Sequence, residues 1–361
     1  MTNETINQFF KERNSSKNTQ RVYTRSIRLY EKLTGHTIQE LINIADHEEY
    51  QNIRWKNTHT RKYLLNYREY LYQKYNISTS KLYLTAIITL YRHHEITIPP
   101  LPYRNTNDVR RTPPVNYKDL LDKDILREAI HIASPVTRAI ILFLSSSGMS
   151  RIDAINLTIQ DWLDATNDYH DHPESVKYAI RDMRDKQIIP LFTGLRRQKT
   201  GQEYFTFCSH EATISINEYL LTRTETLRAD APLFKIHERY FNMTFERLNQ
   251  YFNLGKVGNY NRLRPHMLRK YHATQLAEAG MSTEHIDLLQ GRKTQGVAHE
   301  YYIKVKPESI REEYINCLPY IVIEDVEKYK SELETVKDEN SVLRENIQGI
   351  IDRLDNLENG L

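Results

Sequence analysis

The sequence has 361 residues and only two cysteines, Cys208 and Cys317. Two cysteines cannot build a disulfide framework, and the chain has no C-x-x-C spacing that would suit a zinc site or a redox pair. We therefore expect both cysteines to be packing residues in the interior.

Long apolar runs are also missing. The longest, 139-AIILFLSSSGM-149, is far shorter than the roughly 20 residues that span a bilayer, and the N-terminal MTNETINQFFKER lacks the apolar stretch of a signal peptide. The hydrophobic content of 39% is enough for ordinary cores, and the length allows two domains plus an extension. These features predict a globular, cytoplasmic protein without a membrane contact.

The charge is small overall but unevenly distributed. The net charge is +3, yet residues 307–361 hold six Lys or Arg against fourteen Asp or Glu, so this tail carries −8 and residues 1–306 carry +11. A basic body favours a polyanionic partner, because neutralising phosphates releases their counterions. Many ordinary proteins carry a similar charge, so this feature alone decides nothing.

The first hundred residues are predicted to be helical. An apolar stripe in 16-SKNTQRVYTRSIRLYEKLTG-35 recurs at helical spacing behind Ser15 or Ser16 as the cap, and similar patterns cover 59–75 and 80–94. No strand pattern appears. The region has 15 Lys or Arg against 9 Asp or Glu, with tyrosines interleaved, which fits either solvated helix faces or contact with a DNA backbone. We assign residues 1–98 to a helical domain.

Residues 99–116 are predicted to be a linker. Five of the twelve prolines lie in 99-PPLPYRNTNDVRRTPP-114. Proline fixes φ and removes a backbone donor, so the segment should be extended and stiff, with Arg104, Arg110 and Arg111 projecting from it. Such a linker could bridge two lobes around a rod-shaped ligand.

Residues 117–321 are predicted to form a second domain that is mainly helical with a small antiparallel sheet, so the fold class of the chain is α+β with α predominating. Between two aromatic or β-branched flanks, 187–209 has a turn at Thr200-Gly201, which is typical of a hairpin. Helical patterns cover the rest of the domain, at 118–134, 136–148, 150–163, 211–227, 239–252 and 264–280.

Residues 322–361 are predicted to form a coiled coil. Apolar residues recur there at alternating spacings of three and four over five heptads, and Asn340 at a core position is typical of a residue that fixes register and oligomer state. The alternative is a single amphipathic helix folded onto the body of the protein.

Basic residues and a tyrosine pair follow one another in the second domain in a fixed order. Arg151 comes after 145-SSSGM-149, Lys199 lies at the hairpin turn, His266 and Arg269 are one helical turn apart, and 288-LLQGRK-293 precedes 299-HEYYIKV-305. From about residue 118 to 320 this order resembles the tyrosine recombinase (phage integrase) family. The most specific pieces are 266-HMLRKYHAT-274 and the K-T-G turn. The runs 287-DLLQGR-292 and 307-PESIREEYINCLPY-320 resemble the archaeal and archaeal-virus branch.

The resemblance implies a clamp for one phosphate. Attack on a phosphodiester builds negative charge on two non-bridging oxygens, and planar guanidiniums donate paired hydrogen bonds to such oxygens. By resemblance, Arg151 and Arg269 form this clamp, and Arg292 is a third donor. His266 contacts the same phosphate or transfers a proton, and Lys199 protonates the leaving 5′-oxygen. This chemistry requires no metal and no cofactor.

The resemblance also implies a tyrosine nucleophile, because a phosphotyrosyl link conserves the bond energy for resealing. The spacing from Gly291 in bacterial members selects Tyr301, whereas the spacing in archaeal-type members selects Tyr302. The Y-I-K-x-x-P-E run also fits Tyr302, which is our predicted nucleophile, with Tyr301 as the alternative.

The chain departs from the family pattern at two places. Most members have Gly-His where this chain has Gly291-Arg292. The segment 148-GMSR-151 is one residue longer than the usual Gly-x-Arg, and Asp153 takes the place of an acid that commonly orients this arginine. By itself each residue also fits an ordinary structural role, and only their joint order favours catalysis.

Five arginines are expected to contact DNA, two beside the hairpin turn and three in the linker: Arg196, Arg197, Arg104, Arg110 and Arg111. If the hairpin register were shifted, Lys186, Arg196 or Arg197 would take the place of Lys199.

The function implied by the resemblance is a site-specific DNA recombinase that acts through a 3′-phosphotyrosyl intermediate and integrates or excises a virus or mobile element. Expected partners are double-stranded DNA attachment sites and further copies of the chain, as a tetramer on DNA and as a dimer through the coiled coil. The place of action would be the nucleoid or a host cytoplasm. Two alternatives are a non-catalytic DNA-binding regulator dimerised by its coiled coil and a DNA-relaxing enzyme of the type IB topoisomerase kind.

Overall fold

A computed structural model describes residues 2–292 and 306–324. The chain divides into two compact units, Met1–Pro114 and Val115–Leu361, and the division falls within the predicted linker. Most of the described chain is helical, with a small antiparallel sheet, which confirms the predicted fold class. None of the helices in the described ranges has the length and apolar character that crossing a membrane would need.

The N-terminal unit is built from helices. They are α1 (Thr2–Glu12), α2 (Lys17–Thr34), α3 (Ile38–Tyr50), α4 (His59–Lys74) and α5 (Ile77–His93). The predicted cap of α2 is confirmed at Ser16, whose hydroxyl accepts a hydrogen bond from the backbone N–H of Thr19. Gly35 ends the same helix with a φ of 75°, a conformation that costs glycine little.

Tyrosines form much of the core of this unit. Tyr30, Tyr67 and Tyr91 are fully buried, and the hydroxyls of Tyr30 and Tyr91 lie 3.2 Å apart. The Tyr67 hydroxyl contacts the Ser26 hydroxyl at 3.0 Å, and Ser26 also donates to the Tyr83 carbonyl. A buried tyrosine hydroxyl needs such a partner. These tyrosines are therefore core residues, although their spacing among basic residues also fitted a nucleic-acid surface.

The proline-rich segment packs on the N-terminal unit. The side chain of Val109 is buried, the guanidinium of Arg68 donates to the Pro102 carbonyl at 2.6 Å, and the backbone N–H of Ile77 donates to the Arg110 carbonyl at 2.9 Å. Hydrogen bonds at both ends hold the segment against α4 and α5. Residues 99–114 are thus part of this unit.

The C-terminal unit is built around one buried helix, α7 (Pro135–Ser147). All residues from 139 to 149 are buried, which is expected for a helix that is apolar on every side. The other helices of this unit before residue 293 are α6 (Lys123–Ile132), α8 (Arg151–Ile155), α9 (Ile159–Ala165), α10 (Val176–Met183), α11 (His210–Thr222), α12 (Glu238–Tyr251), α13 (Pro265–Glu278) and α14 (Thr283–Leu289). Of these, α6, α11 and α13 pack on α7. After the undescribed residues 293–305 follows α15 (Pro307–Ile321).

The segment 150–163, predicted as one helix, is two. Thr158 interrupts it, because its side chain and that of Asp161 form a capping box that starts a new helix. No individual helix pattern was assigned to α1, α3, α10, α14 or the helix at 307–321, although α1 and α3 lie within the region predicted to be helical.

The predicted hairpin is present as β1 (Leu191–Arg196) and β2 (Glu203–Phe207). Leu195 pairs with Tyr204 and Arg196 with Glu203, so the turn holds residues 197–202. The register shifts between Phe192 and Leu195, where Gly194 has a φ of 65°. A second pair, β3 (Lys256–Val257) and β4 (Tyr260–Asn261), was not predicted.

The end of α15 and the residues after it are fixed to the C-terminal unit. Tyr314 is fully buried, and the Tyr271 hydroxyl donates to the Ile321 carbonyl at 3.0 Å. The carboxylate of Glu211 accepts hydrogen bonds from the backbone N–H groups of Ile323 and Glu324, at 2.9 Å each. The predicted coiled coil therefore begins with residues that belong to the globular core, while residues 325–361 lie outside the described ranges.

Glu211→Gln should destabilise the C-terminal unit by about 1–3 kcal/mol, because the amide turns one donor toward backbone N–H groups that need an acceptor. The chain has two tryptophans, and a Trp55→Phe background leaves buried Trp162 as a fluorescent reporter of this unit during urea unfolding. Exposed Glu218 on the same helix provides the control, and Glu218→Gln should change stability by less than about 0.5 kcal/mol. Equal effects of the two substitutions would contradict this role of Glu211.

Candidate active site

The side chain of Arg269, one turn into α13, connects three elements. Its guanidinium donates from Nη1 to the Gly148 carbonyl at 2.6 Å and from Nη2 to the Gln290 carbonyl at 2.5 Å. Gly148 ends α7 and Gln290 ends α14. Arg269 is only 5% exposed. A guanidinium has five N–H donors, and these two carbonyls use two of them.

Two glycines make this approach of chain segments feasible. Gly148 has a φ of 61°, and a Cβ there would lie 2.4 Å from Nδ1 of His272. Gly291 has a φ of 58°, and a Cβ there would lie 2.7 Å from Cδ1 of the Tyr204 ring. Both positions therefore exclude side chains by backbone conformation and by space. They are the two glycines of the motifs that the sequence analysis singled out.

Further positive charges surround Arg269. The pKa of Arg269 falls to about 10, first because the group is buried and then because Arg197 and Arg292 repel its charge. Arg197 donates to the Gly291 carbonyl at 3.0 Å, and Arg292 forms an ion pair with Asp287 at 3.2 Å. Three guanidiniums thus share one region, and the field there favours an anion.

His266 lies at the start of α13 within the same field. The pKa of its imidazole is lowered, first by partial burial and then by the charges of Lys270, Arg264, Arg269 and Arg292. The ring is therefore neutral at pH 7. A phosphate bound nearby would oppose these charges and raise the pKa again, which suits a group that takes up and releases a proton during a reaction.

Asp153 links the hairpin turn to the region of Arg269. Its carboxylate accepts hydrogen bonds from the Ser150 hydroxyl at 2.7 Å, the backbone N–H of Gln198 at 3.3 Å and the Tyr204 hydroxyl at 3.4 Å. Lys199 follows Gln198 directly and is exposed on the turn. The backbone contact of Gln198 therefore fixes the base of the turn from which Lys199 extends.

Arg151 is directed elsewhere. Its guanidinium donates to Oδ1 of Asn242 at 2.7 Å and to Oε1 of Glu238 at 2.6 Å, both on α12. The acid expected to orient it, Asp153, binds the hairpin and Ser150 instead. The structure thus brings His266, Arg269 and Arg292 into one field and holds Arg151 against α12. The catalytic roles of all these residues stay predictions.

Several residues expected to bind DNA have partners within the protein. Arg104 forms ion pairs with Glu69 at 3.0 Å and with Asp108 at 2.6 Å, and these hydrogen bonds raise its pKa. Arg196 donates to the Gly201 carbonyl at 3.1 Å. Lys186, which was considered only as a substitute for Lys199, donates to the Tyr169 carbonyl at 2.6 Å. Arg110 and Arg111 are exposed. Among the residues considered as substitutes for Lys199, Arg197 is the one that interacts with Arg269.

The two candidate nucleophiles, Tyr301 and Tyr302, lie outside the described residues. The nearest described positions are Arg292 before them and Lys306 after them. Within residues 2–292 and 306–324, no group of His, Cys, Asp or Glu has the arrangement of a metal site. Cys208 and Cys317 are both buried and unbonded to each other.

The sequence analysis missed His272 and Gln290, which are fully buried beside Arg269. The amide Nε2 of Gln290 lies 2.9 Å from Nδ1 of His272. A signal was available, since His272 is four positions from both Leu268 and Leu276 and so lies on the apolar side of α13. A polar residue at such a position needs a buried partner.

Gly148→Ala should destabilise the C-terminal unit by about 3 kcal/mol, because the positive φ costs a β-carbon about 1–2 kcal/mol and the contact with His272 adds about 1–3. Gly255 is the control, since it has a φ of 67° and a Cβ there would meet no other atom within 4 Å. Gly255→Ala should therefore show the backbone strain alone. Urea unfolding followed by Trp162 fluorescence compares the two, and equal losses would contradict the close packing.

The acid stability of the unit should depend on His272. Burial, followed by the charges of Arg269 and Arg292, lowers its pKa from 6.5 to about 3. Below pH 6.5 the imidazole of His272 is therefore protonated in the unfolded chain but stays neutral in the folded chain. The free energy of unfolding falls by about 1.4 kcal/mol per pH unit from pH 6.5 down to about pH 3. His272→Asn removes this titration, so its unfolding free energy should vary less between pH 6.5 and 4.5. Parallel pH profiles of variant and parent would contradict the buried, neutral imidazole.

The chain is similar to a known protein family and to several solved structures. The model of the phage integrase family matches residues 119–308, which is more than half of the chain. No curated protein sequence matches the chain. Among solved structures, the integrase of the transposon Tn1549 in complex with circular intermediate DNA has a TM-score of 0.51 at 14% identity, over 86% of this chain and 98% of that chain.

Two further solved structures are similar to this chain. The Tn1549 integrase in complex with transposon right end DNA has a TM-score of 0.51 at 13% identity, over 86% of this chain and 98% of that one. A lambda integrase dimer bound to a core site has a TM-score of 0.46 at 13% identity, over 83% and 96% of the two chains. The match to the family model shows that the chain belongs to the phage integrase family of tyrosine recombinases, enzymes that break and rejoin DNA in site-specific recombination.

Proposed function

We propose that the chain cuts and rejoins double-stranded DNA attachment sites through a covalent link to Tyr302, and in this way integrates or excises a virus or mobile element. The observation that supports this most directly is the group of three guanidiniums, Arg269, Arg197 and Arg292, with the neutral His266 in the same field. Like charges repel, so keeping them together is costly unless an anion binds between them.

The proposed reaction balances without a cofactor. The phenol oxygen of Tyr302 attacks phosphorus, the bond between phosphorus and the 5′-oxygen breaks, and the DNA strand is left with a 3′-phosphotyrosyl link and a free 5′-hydroxyl. The phenol proton goes to a base, for which neutral His266 is the candidate. The leaving 5′-oxygen takes a proton from Lys199. In rejoining, the 5′-hydroxyl attacks the phosphotyrosine and the proton transfers reverse.

The guanidinium of Arg269 supports this reaction by its fixed position. Donors that are already oriented toward developing charge need no reorganisation when the reaction occurs, and they are stronger in a buried site. Two backbone carbonyls hold Arg269 and use two of its five N–H donors, and we propose that the phosphate binds to others. Arg151, the other predicted clamp residue, would first have to leave Glu238 and Asn242. DNA can cause that exchange, because a phosphate competes well for an exposed ion pair.

The N-terminal unit supports the proposal with a basic groove. Lys17, Arg21, Arg25 and Arg28 follow one another at helical spacing on one face of α2 and line a groove of about 1010 Å³ between α2 and α1. Arginines and lysines in such a row bind phosphates irrespective of base sequence. We propose that this face contacts the DNA backbone. The proposed place of action is the nucleoid or a host cytoplasm, where such DNA is found.

The proposed assembly is a tetramer on DNA with the C-terminal tail as a further contact between copies. The heptad pattern of residues 326–361 and Asn340 within it support the second part. Glu211 and Tyr271 fix Ile321 and Ile323, which lie just before this segment in the sequence, to the C-terminal unit.

Tyr302→Phe should abolish covalent attachment to DNA, because the variant has no phenol oxygen to attack phosphorus, while Tyr301→Phe should retain it. A labelled duplex that carries the attachment site, selected by binding from a random duplex pool, is incubated with each protein and run on a denaturing gel. The reverse pattern would assign Tyr301 as the nucleophile. Sequence-specific binding without any adduct would support a regulator, and cleavage without a preferred site would support a DNA-relaxing enzyme.

A further inference from the structure

The side chain of Gln290 and the side chain of Arg269 bind each other's backbone. Nη2 of Arg269 donates to the Gln290 carbonyl at 2.5 Å, and Nε2 of Gln290 donates to the Arg269 carbonyl at 3.0 Å. Each residue therefore donates a hydrogen bond from its side chain and accepts one at its backbone carbonyl. Such a reciprocal pair fixes the distance between α13 and the end of α14 as well as the rotation of the guanidinium about its own axis.

The imidazole of His272 fixes the orientation of the amide. Nε2 of Gln290 lies 2.9 Å from Nδ1 of His272, which is one turn along α13 from Arg269. The amide nitrogen must face the Arg269 carbonyl, because its oxygen would repel another oxygen there. Nδ1 of His272 must then be the acceptor, so the ring is neutral and carries its proton on Nε2. Both side chains are fully buried, so water does not compete for these contacts.

This arrangement is costly for stability alone. Oε1 of Gln290 is buried and has no hydrogen-bond partner in the described parts of the chain. An unsatisfied buried acceptor costs about 1–3 kcal/mol, and two apolar side chains of the same volume would avoid that cost. A polar pair at this position therefore does something that an apolar pair cannot, which is to orient the groups attached to it.

The chain after Gln290 carries the rest of the cationic group. Gly291 follows directly, and its carbonyl binds the guanidinium of Arg197 at 3.0 Å. Arg292 is the next residue. The position of the Gln290 backbone therefore affects the positions of three guanidiniums, those of Arg197, Arg269 and Arg292.

We propose that Gln290 and His272 form a positioning pair. The pair orients the guanidiniums of Arg269, Arg197 and Arg292 toward the DNA phosphate that the tyrosine attacks. This inference rests on the proposed function, since it concerns the rate of the same cleavage. A catalytic group displaced by about 1 Å can lose about 100-fold in rate, even when the substrate still binds. Gln290 and His272 are fully buried, and in this proposal they act through Arg269.

Four variants separate positioning from folding. Gln290→Leu removes the amide, and Gln290→Leu combined with His272→Phe replaces the polar pair with an apolar one that can pack. His272→Asn is the conservative variant, because Oδ1 of asparagine lies where Nδ1 of histidine accepts the hydrogen bond. Thr166→Val is the matched control, since it removes a buried hydroxyl that donates to the Trp162 carbonyl in the same unit but away from Arg269.

The measurements are the single-turnover rate of adduct formation at saturating DNA, the Kd for DNA and the melting temperature of the full chain. We expect Gln290→Leu to form adduct 30-fold to 100-fold more slowly with a Kd changed less than threefold. The double variant should recover the melting temperature of the parent without recovering the rate. His272→Asn should stay within about fivefold of the parental rate, and Thr166→Val should lose stability without losing rate.

Recovery of both the rate and the melting temperature in the double variant would overturn the inference, because the pair would then be a packing element. A parental rate in Gln290→Leu would also overturn it. A parent protein that forms no adduct with any duplex contradicts the proposed function instead, so the two failures are distinct.

Discussion

The guanidinium of Arg269 is bound by the carbonyls of Gly148 and Gln290, and the geometry of the candidate active site depends on these two hydrogen bonds. Removing a charged group from water costs several kcal/mol, and hydrogen bonds from a charged donor offset that cost only when their geometry is good. The geometry is good here because Gly148 ends α7 and Gly291 follows Gln290 at the end of α14, and both glycines have a positive φ. A side chain at either glycine would push the carbonyls away from Arg269. The packing of α7, α13 and α14 therefore determines where the guanidinium of Arg269 lies.

A surplus of positive charge in this region has consequences at three different groups. It contributes to the lowered pKa of Arg269, of His266 at the surface and of His272 in the core. Burial is the largest cause for each, and the neighbouring arginines add to it in the same direction. Asp153 and Asp287 neutralise part of this charge, yet the oxygens of Asp153 also hold the hairpin turn. The field that remains favours a bound phosphate, and it adds to the effect of burial in keeping both imidazoles neutral.

The local sequence around Arg151 explains why it lies apart. Ser150 is the N-cap of α8, since its hydroxyl accepts from the backbone N–H of Asp153, so the helix begins at Arg151 itself. At that first position the side chain points along the start of the helix toward α12, where Glu238 and Asn242 bind it. The guanidiniums that the described structure brings together are therefore those of Arg197, Arg269 and Arg292.

Periodicity and short-range turn chemistry were enough to predict the helical first unit, the buried helix α7, the hairpin with its turn and the order of basic residues. The cap at Ser16 is an example. The same patterns could not predict that Gln290 and His272 meet, that Arg197 joins Arg269, or that Arg104 is bound by Glu69 and Asp108. These contacts join residues from 4 to more than 90 positions apart through packing, and no local pattern encodes which surfaces face each other. These contacts exist only in the folded chain. The partner of a buried polar side chain is decided by which element packs against it, and the local sequence around that side chain does not contain this information.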